Sequence, residues 1–182
     1  MPYIVNKKIF IIALLLLSAS FAQAQMIVAK CDLVKVAAMM PNLGIDAVVG
    51  EKHTIGINVS GAKNPWGQDV KMLSVTPEYR YWFGGRPFVR HFVEFSAQAT
   101  NYDILWNDKV YDGNALGVGF CFGRSYKLSS RFNLELLGGI SYLRYDQKHF
   151  YDEQGYGEGE VANSKGSLLL PKASVSISYI IR

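Results

Sequence analysis

Nine charged residues stand at alternating positions among apolar ones: Lys30, Asp32, Asp46, Glu78, Arg80, Arg90, Glu94, Glu135 and Lys172. Lys30 and Asp32, like Glu78 and Arg80, are two residues apart and of opposite sign. On an extended backbone such pairs share a face, because successive side chains of a strand point to opposite sides. If that face is enclosed, the charges must pair, since an isolated buried charge is very costly. The chemistry they suggest first is a salt-bridge network, and a narrow ion path through the same charges is its functional counterpart.

Histidine chemistry is the other possibility to weigh. His149 lies in YDQKHFYDEQGYGEGE, near Asp146, Asp152 and Ser164. A nucleophile, a base and an acid must be held within hydrogen-bond reach, and a glycine-rich stretch supplies nothing to hold them. The His-x-Ser pattern of lipid A deacylase barrels is absent. The acidic residues of the stretch offer oxygen ligands for calcium but lack the D-x-D-x-D-G spacing. GVGFCFG has neither a Walker nor a dinucleotide spacing, so its glycines are expected to relieve crowding within a strand. No catalytic residue, cofactor or metal is therefore assigned, and a non-enzymatic protein is expected. Trp66, Trp106 and His149 are the candidates for contacts made by outer loops.

The elements that would position these residues are strands. In LSVTPEYRYWF, Leu73, Val75, Pro77, Tyr79, Tyr81 and Phe83 fall on one face, opposite Ser74, Thr76, Glu78, Arg80 and Trp82. The same period of two runs through LGIDAVV, HTIGINVSG, VRHFVEFSAQAT, NALGVGFCFG, FNLELLGGISYLRY and the closing PKASVSISYIIR. The first segment, AKCDLVKVAA, fits least well, because Lys35 lands on its apolar side. About eight strands result. Cys31 and Cys121 fall on non-adjacent strands and opposite faces, so no disulfide is expected.

The choice is which face looks inward. The polar face is rich in Gly, Ser and Thr with isolated charges of both signs, whereas a water-facing surface carries more Lys and Glu. Aromatics gather near strand ends: Tyr81, Phe83, Tyr126, Phe132 and Tyr179 at one end, Trp66, Tyr102, Trp106, Tyr111 and Tyr142 at the other. Such girdles suit a membrane barrel. Short connections (GEK, FGGRP, KLSSR) alternate with long ones (GAKNPWGQD and the stretches 102–113 and 146–166), MMPN being the exception. The polar face is thus expected inside and the apolar face against lipid.

The chain opens with MPYIVNKKIFIIALLLLSASFAQAQ: two lysines, an apolar run and an A-x-A box. This is expected to be a secretory signal peptide over residues 1–24, since the run is short of the roughly 20 residues a spanning helix needs. Its removal takes Lys7 and Lys8, and with them two of the four net positive charges. The remaining charge gives no nucleic-acid footprint.

PNLGID at 41–46, NPW at 64–66, PEYRYWF at 77–83, FNLE at 132–135 and the ending PKASVSISYIIR resemble a family of small Bacteroidetes outer-membrane proteins, domain of unknown function family 3575. The resemblance implies a signal peptide and an outer-membrane-type barrel, sometimes encoded near fimbrial assembly components, and no known chemistry. The expectation is an all-β, eight-stranded, antiparallel up-and-down transmembrane β-barrel over residues 25–182 after a cleaved leader. It would sit in the outer membrane of a Gram-negative cell. Its expected partners are outer-membrane lipid and a surface or fimbrial protein. The alternatives are a lipid-modifying enzyme, a soluble periplasmic barrel with an apolar cavity lined by Phe95, Phe120 and Ile177, and a narrow channel.

Overall fold

The structure, a computed structural model, describes residues 26–106, 109–151 and 162–181. The expected leader lies outside these residues. Eight strands are found among them: β1 (Ile27–Asp32), β2 (Asn42–Val48), β3 (His53–Lys63), β4 (Val70–Trp82), β5 (Arg90–Trp106), β6 (Lys109–Lys127), β7 (Phe132–Tyr151) and β8 (Ala162–Ile180). Each pairs antiparallel with the next, and β1 pairs with β8 to close a barrel. The end carrying Ile27 and Ile180 has the short connections 49–52, 83–89 and 128–131; it is called the terminal end below.

Among the described residues helix is almost absent. One short helix, α1 (Leu33–Ala37), follows β1. Asp32 causes it: its Oδ1 accepts from the backbone N–H of Val34 at 2.9 Å and of Lys35 at 3.3 Å, satisfying donors that a helix start leaves open. The turn resets the side-chain parity, which is why Lys35 broke the alternation in sequence. It also corrects the expectation that β1 is continuous up to a short MMPN connection, because the link actually spans residues 33–41.

In two connections expected to be long loops, the described residues are strand. β5 and β6 pair as far as Trp106 opposite Lys109, and β7 and β8 as far as His149 opposite Ala162. In these outer arms polar residues such as Asn101, Asp103, Asp112 and Lys148 replace the apolar alternation. Hydropathy therefore loses the strand there, while backbone pairing carries it on.

Burial is inverted relative to a water-soluble barrel. Lys30, Asp46, Arg80, Glu94, Glu135, Ser176 and Ser178 are buried inside. Leu43, Ile45, Leu73, Phe95, Leu116, Val118, Phe120 and Ile140 are exposed outside, Leu116 at 65% and Phe120 at 47%. On β8 the inner serines alternate with the outer Val175, Ile177 and Tyr179, and only the serine side reaches full burial, Ser178 being 0% exposed.

The terminal end of the lumen is closed by an apolar plug. Val28, Val48, Trp82, Phe88 and Phe92 are buried together, with Met26, Leu137 and Ile180 packed against them. The Trp82 ring lies 4.5 Å from Phe92 and 5.1 Å from Phe88, centroid to centroid. Its Nε1–H donates to Thr54 Oγ1 at 3.1 Å, so the one polar atom of the plug is satisfied. Gly123 makes room opposite: a Cβ there would stand 2.4 Å from the Phe92 ring.

The outer face near the terminal end carries a ring of aromatic contacts, Tyr81 on Phe83 at 5.2 Å and Phe132 on Tyr179 at 5.0 Å. At the opposite end the expected girdle is incomplete. Tyr102 continues the inner parity of β5 and donates its hydroxyl to Gln147 Oε1 at 2.9 Å, so it does not join the outer face.

Candidate functional site: the lumenal charge network

Seven of the nine charged residues singled out in sequence meet at one level of the lumen. The strands bring them there by register: Lys30 from β1, Asp46 from β2, Glu78 and Arg80 from β4, Glu94 from β5, Glu135 from β7 and Lys172 from β8. Each has inner parity on its strand, which is why a period of two was enough to find it.

Arg80 is the centre. Its Nε donates to Glu94 Oε2 at 2.9 Å and its Nη1 to Glu135 Oε2 at 2.8 Å. Its Nη2 reaches Glu94 Oε2 at 2.8 Å and Glu78 Oε2 at 3.2 Å, and Nη1 lies 3.4 Å from Asp46 Oδ2. Four carboxylates thus surround one guanidinium, whose planar fork can donate in several directions at once. The other side of the Arg80 head lies over the Phe92 ring, 4.9 Å from its centroid, so the charged level rests on the aromatic plug.

Two lysines offset the excess of carboxylates. Lys30 Nζ donates to Glu78. It also stands 3.2 Å from Asp46 Oδ1, a contact close enough for an ion pair yet without hydrogen-bond alignment. Lys172 Nζ donates to Glu94 Oε1 at 2.8 Å and to Ser96 Oγ at 3.1 Å. Ser178 Oγ donates to the remaining oxygen of Glu135 at 3.0 Å. Gly56 is what lets Asp46 lie flat against the wall, since a Cβ at that position would be 1.8 Å from its Oδ1.

Asp32 and Arg90 do not join the network, contrary to the sequence expectation. Asp32 is spent on capping α1. Arg90 is exposed at the first residue of β5, with a backbone φ of 64°, because the chain is still leaving the turn and the strand parity does not yet apply. Sequence reasoning missed Lys35 instead. The α1 turn points it into the lumen, where its Nζ donates to Asn58 Oδ1 at 3.2 Å and Ser60 Oγ at 3.4 Å. The signal for it was present in the misfit itself, a lone lysine on an apolar stripe directly after an aspartate.

Beyond the network, away from the plug, lies a cavity of about 290 Å³ lined by Lys30, Lys35, Glu78, Lys172, Met72 and Leu170 among others. The ring pair expected to line a soluble apolar cavity is elsewhere: Phe95 and Phe120 lie against each other at 4.9 Å, with their planes tilted by 57°, on the outer surface.

Among the outer-loop candidates, Trp66 lies in a short 3₁₀ turn, Pro65–Gly67, and is 72% exposed. Trp106 and His149 belong to the ends of β5 and β7 rather than to loops, and their side chains lie outside the described residues. His53 accepts or donates at Nδ1 with the Tyr79 hydroxyl at 2.7 Å, and His91 stacks on Phe122 at 5.6 Å on the outer face. Cys31 and Cys121 are free thiols.

Every ionic group of the network has a partner of opposite sign within the lumen. A family model described as protein of unknown function (DUF3575) matches residues 9–181, and the chain belongs to that family. No curated protein and no solved structure matches it.

Proposed function

We propose that this member of the family is an integral outer-membrane β-barrel of structural or interaction type, exported by its N-terminal leader. Its lumen would be closed by the Arg80 network and the aromatic plug. The observation that carries the reading is the inverted burial: four carboxylates, an arginine and a lysine packed inside at under 10% exposure, with leucine, isoleucine, valine and phenylalanine on the outside. In water that arrangement would expose an apolar belt far larger than the patches soluble monomers tolerate. In a bilayer it is the expected one, since a closed barrel satisfies all backbone groups and turns its apolar side chains to lipid.

The termini and short connections then face the periplasm, and the long arms β5–β6 and β7–β8 face outward. Those arms and exposed Trp66 are the surface available to a partner, and a surface or fimbrial protein is the class the family resemblance favours. The test is fractionation of the native host followed by gel mobility with and without heating. Extraction only by detergent, with a band that shifts on boiling, supports the reading. A soluble pool with no shift refutes it.

A further inference from the structure

The outer wall is apolar but not uniform. A groove of about 430 Å³ crosses β6, β7 and β8 and ends against Val34 of α1. Its floor is made by two small outward residues side by side, Gly138 and Ala173, which are register partners. Phe122, Leu136 and Val175 flank them. At its other end stand two residues that can carry positive charge, Arg124 and His91, themselves register partners. The Arg124 guanidinium lies 4.8 Å from the Tyr126 ring centroid, which holds its position beside the groove mouth. No carboxylate lines the groove.

The register gives the groove a slope. His91, Arg124, Leu136 and Val175 form one cross-strand row. They stand respectively one residue from the start of β5 at Arg90, three from the end of β6 at Lys127, four from the start of β7 at Phe132 and five from the end of β8 at Ile180. The charged mouth is therefore near the terminal rim, and the apolar floor climbs from it towards mid-height. A charged side chain on a lipid-facing wall is tolerated near the interface and costly at mid-depth, so Arg124 sits where headgroups would be.

We infer that this groove binds one anionic glycerophospholipid of the periplasm-facing leaflet, its phosphate on Arg124 and one acyl chain lying over Gly138 and Ala173. The inference rests on the membrane reading above. A phosphate fits the mouth because a guanidinium donates charge-assisted hydrogen bonds to it, and the absence of a lining carboxylate leaves that charge available. An acyl chain fits the floor because the missing side chain at Gly138 leaves open space: a Cβ built there meets nothing within 4 Å. That emptiness also makes the test clean, since a larger residue fills the groove without disturbing the barrel.

The experiment is a titration of the detergent-purified barrel with phosphatidylglycerol and, separately, phosphatidylcholine, with bound lipid counted by native mass spectrometry. The wild type is expected to hold one phosphatidylglycerol roughly tenfold more tightly than phosphatidylcholine. Gly138→Leu and Arg124→Gln should each weaken it by a similar factor while keeping the heat-shifted band. Leu43→Phe, on another part of the outer wall, should change nothing. Equal retention in wild type and Gly138→Leu, or no preference between the two lipids, overturns the groove while leaving the membrane barrel standing. A protein that needs no detergent and shows no heat shift overturns the membrane reading, and this inference with it.

Discussion

The inner and outer walls of this barrel are built from the same eight strands and obey opposite rules. On β8 the inner row is Lys172, Ser174, Ser176 and Ser178, while the outer row is Pro171, Ala173, Val175, Ile177 and Tyr179. The inner row is held by specific partners: Lys172 by Glu94, Ser178 by Glu135. Contacts of the outer row with neighbouring outer residues are mostly apolar and non-directional. The lesson is that specificity here resides in polar pairing, and the hydrophobic surface sets the medium rather than the fold's register. A sheet whose buried charges are paired across strands resists the register slip that would otherwise turn every side chain to the wrong wall.

The sharpest way to break the contrast is at its centre. Arg80→Leu leaves four carboxylates without their common partner, and losing one side of a buried ion pair costs about 3–5 kcal/mol. The expected result is loss of the heat-shifted folded band. Adding Glu135→Gln to that variant should recover part of the folded fraction in urea titrations, because Arg80 is the cation that Glu135 pairs with and its charge is left unpaired without it. If Arg80→Leu folds as well as wild type, the network is not what holds the inner wall.

A charge on the outer wall gives the next effect. Phe120→Arg, about midway along β6, should cost roughly 2–4 kcal/mol for a barrel folded into lipid vesicles. The same change on a water-facing wall would cost almost nothing, so the unfolding midpoint in vesicles separates the two cases. A smaller change is expected from Asp32→Ala, which removes the cap of α1 and should cost about 1 kcal/mol. Its distinguishing sign would be faster hydrogen exchange at Val34 and Lys35, with the Arg80 level unaffected. The least effect belongs to Ile177→Leu on the outer row, expected within about 0.5 kcal/mol in the same titration, since non-directional contact tolerates a change of shape.

The two walls also decide which positions the sequence reveals by itself. The inner positions of Asp46, Glu78, Arg80, Glu94, Glu135 and Lys172 follow from strict alternation, because a closed barrel gives every strand the same two faces. Trp82 falls on that face too, but alternation says nothing about height along the axis, so its packing with Phe88 and Phe92 into a plug is hidden. Lys35 and Arg90 defeat the alternation for one shared reason: each lies where the backbone leaves the extended state, at α1 and at the turn before β5, and parity fails there. The outer arms read too short in sequence because polar residues on both faces erase the pattern while the hydrogen-bonded ladder continues. The groove over Gly138 depends on the stagger between strands, which only the cross-strand register supplies.

The most direct test of the inverted barrel is a nitroxide scan of β8. Single labels would be placed at each position from 173 to 179, in a background lacking Cys31 and Cys121, and the protein reconstituted in vesicles. Collision rates with oxygen, which concentrates in hydrocarbon, should be high at 173, 175, 177 and 179 and low at 174, 176 and 178. Collisions with a water-soluble nickel chelate should be low at all seven. High chelate collisions at 175 and 177 would place the apolar row in water and contradict the account.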